Sequence, residues 1–489
     1  MNGSFEGLDS RPLWRHFLEI AAIPRCSGKE EGIRQYVLRV AEEAGLPRAV
    51  DRAGNVLVRK GAQFCPDGAP CVVLQSHLDM VCEKNLDVNH DFDRDPIRVA
   101  LEGQWLSARG TTLGADNGIG VAAILAVLED RSLVHGPLEA LFTVDEERGL
   151  LGASQIEEGF FSGQILLNFD SEEEGAFVIG CAGGADTVFR LPVRRRRRKG
   201  GRGLGFELKV TGLRGGHSGM DIHLGRGNAI KILVRALAAL QEKIPVDVGS
   251  IQGGDKRNAI PREALAQLLI RPSDAEKAGR ALEEVFREIG SEYGPVETEL
   301  SWSFAPQKAE FEPLQKKSQD LVLDLLRILP HGVLAMSRAM PDMVETSTNL
   351  ARVRTDLDRV EIVESTRSAR AGALAEVRGS LRALGRVARC ELEQPEGYPG
   401  WPPEPDSPFL HTMKALYRDL FGKEAQIKAI HAGLEPGVLA SKRPGLRMIS
   451  FGPDIRDPHS PRERVNVASV ERFWKLLVET LRRLAGASG

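Results

Sequence analysis

The chain has 489 residues, and 65 basic against 68 acidic side chains leave a net charge of −3. That length suggests two to four domains, and the 42% apolar and 27% charged fractions are those of an ordinary globular protein. A dedicated nucleic-acid binder would need a large basic excess, and the longest apolar stretch, residues 120–128, is about half the ~18 residues of a membrane span.

The six cysteines (Cys26, Cys65, Cys71, Cys82, Cys181, Cys390) are too scattered for a disulfide framework and contain no CxxC pair, so they read as reduced thiols of a cytoplasmic protein. Glu6, Asp9, Arg11, Arg15 and His16 precede any apolar stretch, which does not fit a signal peptide.

Ser27 with Glu30 three residues later predicts a capping box opening a helix that Gly45 closes. Residues 55–59, 71–75, 138–144 and 164–169 are short apolar runs that predict strands, and residues 118–129 predict an apolar helix. At 181–202 the texture changes to glycines around the basic run Arg194–Lys199, which reads as a solvated boundary loop. Beyond it come a strand (206–211), a helix (228–243) and a helix capped by Ser273 with Glu276. A helix (317–329), a strand (360–364), a helix (371–384) and a strand (387–393) form a second set. A Pro- and Glu-rich stretch, 394–408, returns the chain to a helix (410–421), a strand (447–451) and a final helix (467–484). The expected fold class is α/β. Residues 1–184 and 396–489 form one α/β/α domain with a mostly parallel central sheet, interrupted by an inserted, doubled α+β domain at 185–395.

Five segments carry metal-binding chemistry: His77 and Asp79 in SHLDM, Asp116 in TTLGADNGIG, Glu146 and Glu147 in VDEERG, Asp170 in ILLNFD, and His459 in GPDIRDPHSP. Any one alone reads as a turn, cap or hydrogen-bonded residue. Together, four of the five follow predicted strands, where open α/β sheets build their sites. Mixed imidazole and carboxylate donors suit Zn²⁺, with Mn²⁺ or Co²⁺ as substitutes, and one bridging carboxylate would hold a metal pair. The Asp in His-x-Asp can accept the other imidazole N–H and fix the metal-binding tautomer. Adjacent glutamates point in different directions, so one can bind metal while the other serves as general base.

These segments, with NFDSEEEG, GLRGGHSGMDIHLGRGNA, RNAIPRE, STNL and HAGLEPG, run in order from about residue 12 to the C-terminus. The chain resembles the dinuclear metallopeptidases related to aminoacylases and carnosinases, specifically the bacterial aminoacyl-histidine (cytosol non-specific) dipeptidases. The resemblance implies two Zn²⁺ per subunit: His77 and Asp170 on one ion, Glu147 and His459 on the other, and Asp116 bridging. It makes Asp79 the partner of His77, Glu146 the general base and His217 the oxyanion donor. Asn258, Asn349 and Arg367 become substrate contacts, Glu435 a site for the substrate ammonium and His431 a pocket residue. The insert becomes a lid, and His217 acts through closure within its own chain or in a homodimer. The implied partner is a small peptide, not nucleic acid or a membrane. Three departures stand out: Arg109 where an acidic residue is expected, Asp457–Pro458 in place of a small Gly-Ala pair, and the arginine run. The competing readings are a deacylase of N-acyl amino acids and a catalytically inactive binding relative, but every ligand and the base are present.

Overall fold

The computed structural model describes Leu8 and residues 12–197 and 203–486. The chain divides into two compact units: Met1–Cys181 with Trp401–Ala429 and Leu434–Gly489, and Ala182–Gly400 with Ile430–Gly433. Among the described residues no helix is long and apolar enough to cross a membrane.

The first unit is built on an eight-stranded sheet whose centre consists of Leu138–Thr143, Val72–His77, Ile165–Asn168 and Arg447–Ser450, in that order. These four strands are mutually parallel, whereas Val56–Lys60 pairs antiparallel on one side and Ala176–Cys181 on the other. All six residues of Val72–His77 are buried, as expected for a strand covered on both faces. The helix Ala115–Glu129 is buried on every side from Ala115 to Leu128, so its sequence shows no polar face. Parallel register aligns His77 with Thr143 and Gln75 with Asn168, so the segments following these strands emerge at one edge. A small antiparallel sheet, Val99–Glu102, Trp105–Ala108, Arg464–Asn466 and Ile455–Arg456, stands apart from this one. Its hairpin loop, residues 457–463, carries His459. Arg456 and Arg464 each lie 5.0 Å from the Trp105 ring centroid and fasten that hairpin.

The second unit contains a nine-stranded sheet, antiparallel in every recorded pairing. Helices Ala229–Lys243, Ala275–Tyr293 and Lys316–Ile328 contribute Leu233, Leu237, Leu282, Phe286, Val322 and Leu326 to its core. Asn228 caps the first of them, accepting from Ile230 N and Lys231 N. Arg195 spends its guanidinium on the carbonyls of Gly249, Glu312, Asp356 and Leu357, so this member of the basic run is a structural tie. Arg198 and Lys199 lie outside the described residues.

Three local expectations are corrected. Helix Glu31–Glu43 has no side-chain cap, because Ser27 Oγ donates to Asp79 Oδ2 and Glu30 Oε1 accepts from Gly28 N and Asp145 N. The helix Ala275–Tyr293 is entered through a short 3₁₀ turn, Pro272–Asp274, with no side-chain cap from Ser273. Cys26 and Cys82 are joined as a disulfide, so the reading of six reduced thiols fails. Their 56-residue separation hid a proximity that only the folded segments create.

Candidate dinuclear metal site

Val72–His77 ends on His77, Leu138–Thr143 is followed by Glu146 and Glu147, and Ile165–Asn168 by Asp170. His77 Nε2 lies 3.1 Å from Asp116 Oδ1 and 3.3 Å from Asp170 Oδ1. His459 Nε2 lies 3.1 Å from Asp116 Oδ2 and 3.0 Å from Glu147 Oε1. Asp116 thus turns one oxygen to each histidine. His77, Asp116 and Asp170 form one group with ligand atoms within 4.8 Å of one another, and Asp116, Glu147 and His459 form another. Glu146 joins His77 and Glu147 in a third.

Asp79 does more than its place beside His77 suggests. Its Oδ1 accepts from Glu146 N at 3.0 Å, and its Oδ2 accepts from Glu147 N at 3.1 Å and Ser27 Oγ at 2.7 Å. One carboxylate therefore holds the backbone of both glutamates and stands 3.4 Å from His77 Nδ1. Asn117 Nδ2 donates to Asp170 Oδ1 at 2.9 Å. Phe169 packs edge-on against Phe451 and Phe473, with centroids 5.4 and 5.3 Å away, and this fixes the strand end that presents Asp170. Glu435, fully buried at the start of helix Glu435–Lys442, accepts from Gln75 Nε2 and Thr143 Oγ1, while its Oε1 has no hydrogen-bond partner.

The electrostatics are those of concentrated negative charge. Burial alone would raise Asp116, but hydrogen bonds with His459 and His77 hold it well below the ordinary carboxylate range. Burial pushes Asp170 up to about 6 despite His77, and it raises Glu146 strongly, with Asp170, Glu147 and Glu435 adding to the shift. His459 is pushed up to about 11 by hydrogen bonds to Asp116 and Glu147. Four carboxylates of this cluster, Asp116, Glu146, Glu147 and Asp170, face only two imidazoles, an imbalance that two divalent cations would neutralise. The donors fit such ions: two imidazoles and three carboxylates, with one carboxylate shared between the two groups.

The remaining candidate residues lie in the second unit. His217 Nδ1 accepts from Gly219 N at 3.3 Å and Met220 N at 3.0 Å, which leaves the proton of the neutral ring on Nε2. Burial, then Arg367, pushes His217 down to about 4, so the ring is neutral at pH 7. Arg367, 7% exposed, lies with Nη2 3.5 Å from His217 Nε2 and donates from Nη1 to Tyr398 Oη at 2.9 Å. His431 Nε2 is 2.7 Å from Ser347 Oγ, and burial followed by Arg367 and His217 pushes its ring down to about 3. Asn349 Nδ2 donates to Ala259 O at 2.8 Å, leaving its buried Oδ1 without a partner. Asn258 is exposed, and its carbonyl accepts from Ser218 N.

The model of the peptidase family M20/M25/M40 matches residues 73–483. The chain belongs to this family. It is 41% identical over 478 residues to the cytosol non-specific dipeptidase of Escherichia coli, spanning 98% of each chain. The aminoacylhistidine dipeptidase of Vibrio alginolyticus matches with a TM-score of 0.90 and 38% identity, over 99% of this chain and 98% of that one. The aminopeptidase PepT of Bacillus cereus, at 14% identity and a TM-score of 0.57 over 98% of this chain and 99% of that one, shares the fold.

Within this M20 peptidase the departures acquire structural meaning. Asp457 and His459 both adopt left-handed backbone, with φ of 52° and 57°, so the position where a small residue was expected carries an Asp, one of the side chains that tolerates that region. Arg109 is exposed. Sequence reasoning missed Ser27, Asn117 and Tyr398 as partners of site residues. Asn117 had a local signal, standing next to Asp116. Tyr398 had none.

Proposed function

We propose that the chain is a dinuclear metal-dependent dipeptidase. It hydrolyses the amide bond of short peptides with free termini, Xaa-His dipeptides among them. The observation that carries this reading is Asp116, with its two oxygens each 3.1 Å from a different histidine and Asp170 and Glu147 on either side. Near-full-length likeness to two proteins named as dipeptidases supports it. Two Zn²⁺, or Mn²⁺ or Co²⁺ in their place, held by His77, Asp116, Asp170, Glu147 and His459, would acidify the attacking water and polarise the scissile carbonyl.

The protein's own groups do the rest. Glu146, fixed through its peptide N–H on Asp79, takes the water proton and returns it to the departing amine. His217, neutral with its proton on Nε2, donates to the developing oxyanion. Arg367, steadied by Tyr398, binds the substrate carboxylate, with Asn258 and Asn349 as further contacts and His431 lining the pocket. Glu435 takes the α-ammonium on its unpartnered oxygen. The word cytosol in the relative's name supports a cytoplasmic location.

The test is hydrolysis by metal-loaded protein of a panel of dipeptides, a tripeptide, dipeptide amides and N-acetyl amino acids. Turnover of free dipeptides well above all others is expected. Preferential cleavage of N-acetyl amino acids would replace this reading by a deacylase.

A further inference from the structure

We propose that Glu463 and Arg25 form a buried clamp that sets the position of Asp116, and through it the affinity of the metal pair. The proposal rests on the reading of Asp116 as the shared ligand. Glu463 is 2% exposed. Its Oε2 accepts from Leu113 N at 2.7 Å and Gly114 N at 2.8 Å, and its Oε1 from Ala115 N at 2.7 Å and Asp116 N at 3.2 Å. Four successive amides therefore wrap one carboxylate, and the last belongs to Asp116 itself.

Arg25 works on the other side of the same turn. Fully buried, it donates from Nη2 to Gly114 O and from Nη1 to Leu78 O and Asp79 O, both at 2.9 Å. Glycine is required where the two meet: Gly114 has φ of +71°, and a Cβ there would stand 2.4 Å from Arg25 Nη2. A Cβ on Gly118 would come within 2.8 Å of the same atom.

The clamp joins three segments that each carry ligands. Arg25 holds the backbone following His77, both residues hold the turn before Asp116, and Glu463 lies in the hairpin loop of His459. A ligand that serves two ions must keep both oxygens in place, and small displacements of its backbone are felt at both. Neither Glu463 nor Arg25 is among the residues grouped as ligands. They are positioning residues.

Glu463→Gln replaces two charged acceptor oxygens by one neutral oxygen and an amide that faces N–H donors. Zn²⁺ stoichiometry and affinity are to be measured by competition with a chromophoric chelator on protein shown to be folded by circular dichroism. Glu139→Gln is the control. Glu139 is equally buried and accepts from Ser162 N and Gly163 N, but it sits at the opposite end of its strand from the metal-binding segments. Glu463→Gln should weaken Zn²⁺ binding about 10–100-fold, as loss of a ligand-orienting partner does. Glu139→Gln should lower the melting temperature and leave Zn²⁺ affinity unchanged. Arg25→Lys, which keeps the charge but not the fork, should also weaken binding, and it decides the matter if Glu463→Gln does not fold. Wild-type affinity in the folded variants, or equal loss in the Glu139 control, overturns the clamp. Wild-type protein that binds no metal would instead overturn the dinuclear reading.

Discussion

Adjacent glutamates with different tasks make the sharpest test of the mechanism. Glu147 Oε1 stands 3.0 Å from His459 Nε2, within the group built on Asp116, whereas Glu146 belongs to neither of the two Asp116 groups. On the proposed roles, Glu146→Gln should remove proton transfer and leave the five proposed ligands in place, even though Glu146 also approaches His77 and Glu147. Loss of a general base costs about 10²–10⁴-fold in rate, or roughly 3–5 kcal/mol of transition-state stabilisation. The lost interaction belongs to the transition state, so kcat should fall with little change in KM and with two metals retained. Glu147→Gln exchanges a charged donor for a neutral one. Loss of an outer-shell partner alone costs about 10–100-fold in metal affinity, so replacing a charged ligand should cost at least that, with activity partly restored by added Zn²⁺. Bound metal per chain and steady-state kinetics on a free dipeptide, with and without Zn²⁺, separate the two variants. If Glu146→Gln loses a metal while Glu147→Gln keeps both, the roles are reversed; if neither affects turnover, the metallopeptidase mechanism is wrong.

Arg367→Ala should raise KM strongly for free dipeptides and hardly at all for their C-terminal amides; equal losses on both would show that Arg367 does not read the carboxylate. Removing the metals with a chelator should lower the melting temperature as well as activity, because about 2.7 kcal/mol of stabilisation is present at a metal concentration 100 times Kd; an unchanged melting temperature would count against ions bound among Asp116, Asp170 and Glu147. Glu364 supplies a pH dependence away from the metals: burial pushes its carboxyl from 4.5 up to about 8, with Thr348 and Lys231 only partly opposing. The folded state then binds this proton more tightly than the unfolded chain, so stability falls as pH rises from about 4.5 to about 8, by at most roughly 1.4 kcal/mol per pH unit, and levels off above. Glu364→Gln should gain on wild type between pH 5 and pH 8 in chemical denaturation, and a gap that stays constant would refute the buried neutral carboxyl.

The candidate ligand residues are legible in the sequence because each lies in a short local pattern. An apolar run that must be a buried strand ends on His77, or shortly before Glu146, Glu147 and Asp170, and parallel pairing brings such ends to one edge. The helices 228–243 and 467–484 were read within a residue or so, since amphipathic period and terminal residues are local too. Pairing between distant segments has no such signature. Which oxygen of Asp116 faces which histidine, the grip of Asp79 on the two glutamate amides, and the hold of Glu463 on a turn almost 350 residues earlier depend on how strands are ordered. The same limit explains Ser27. Its sequence context offers a helix cap, but a charged, buried acceptor at Asp79 outcompetes backbone amides that water can satisfy. It explains the Cys26–Cys82 disulfide as well, because residues 56 apart in sequence are neighbours only in the folded arrangement of the segments on either side of His77. Residue chemistry and local periodicity are properties of the chain; the sharing of one carboxylate by two histidines is a property of its packing.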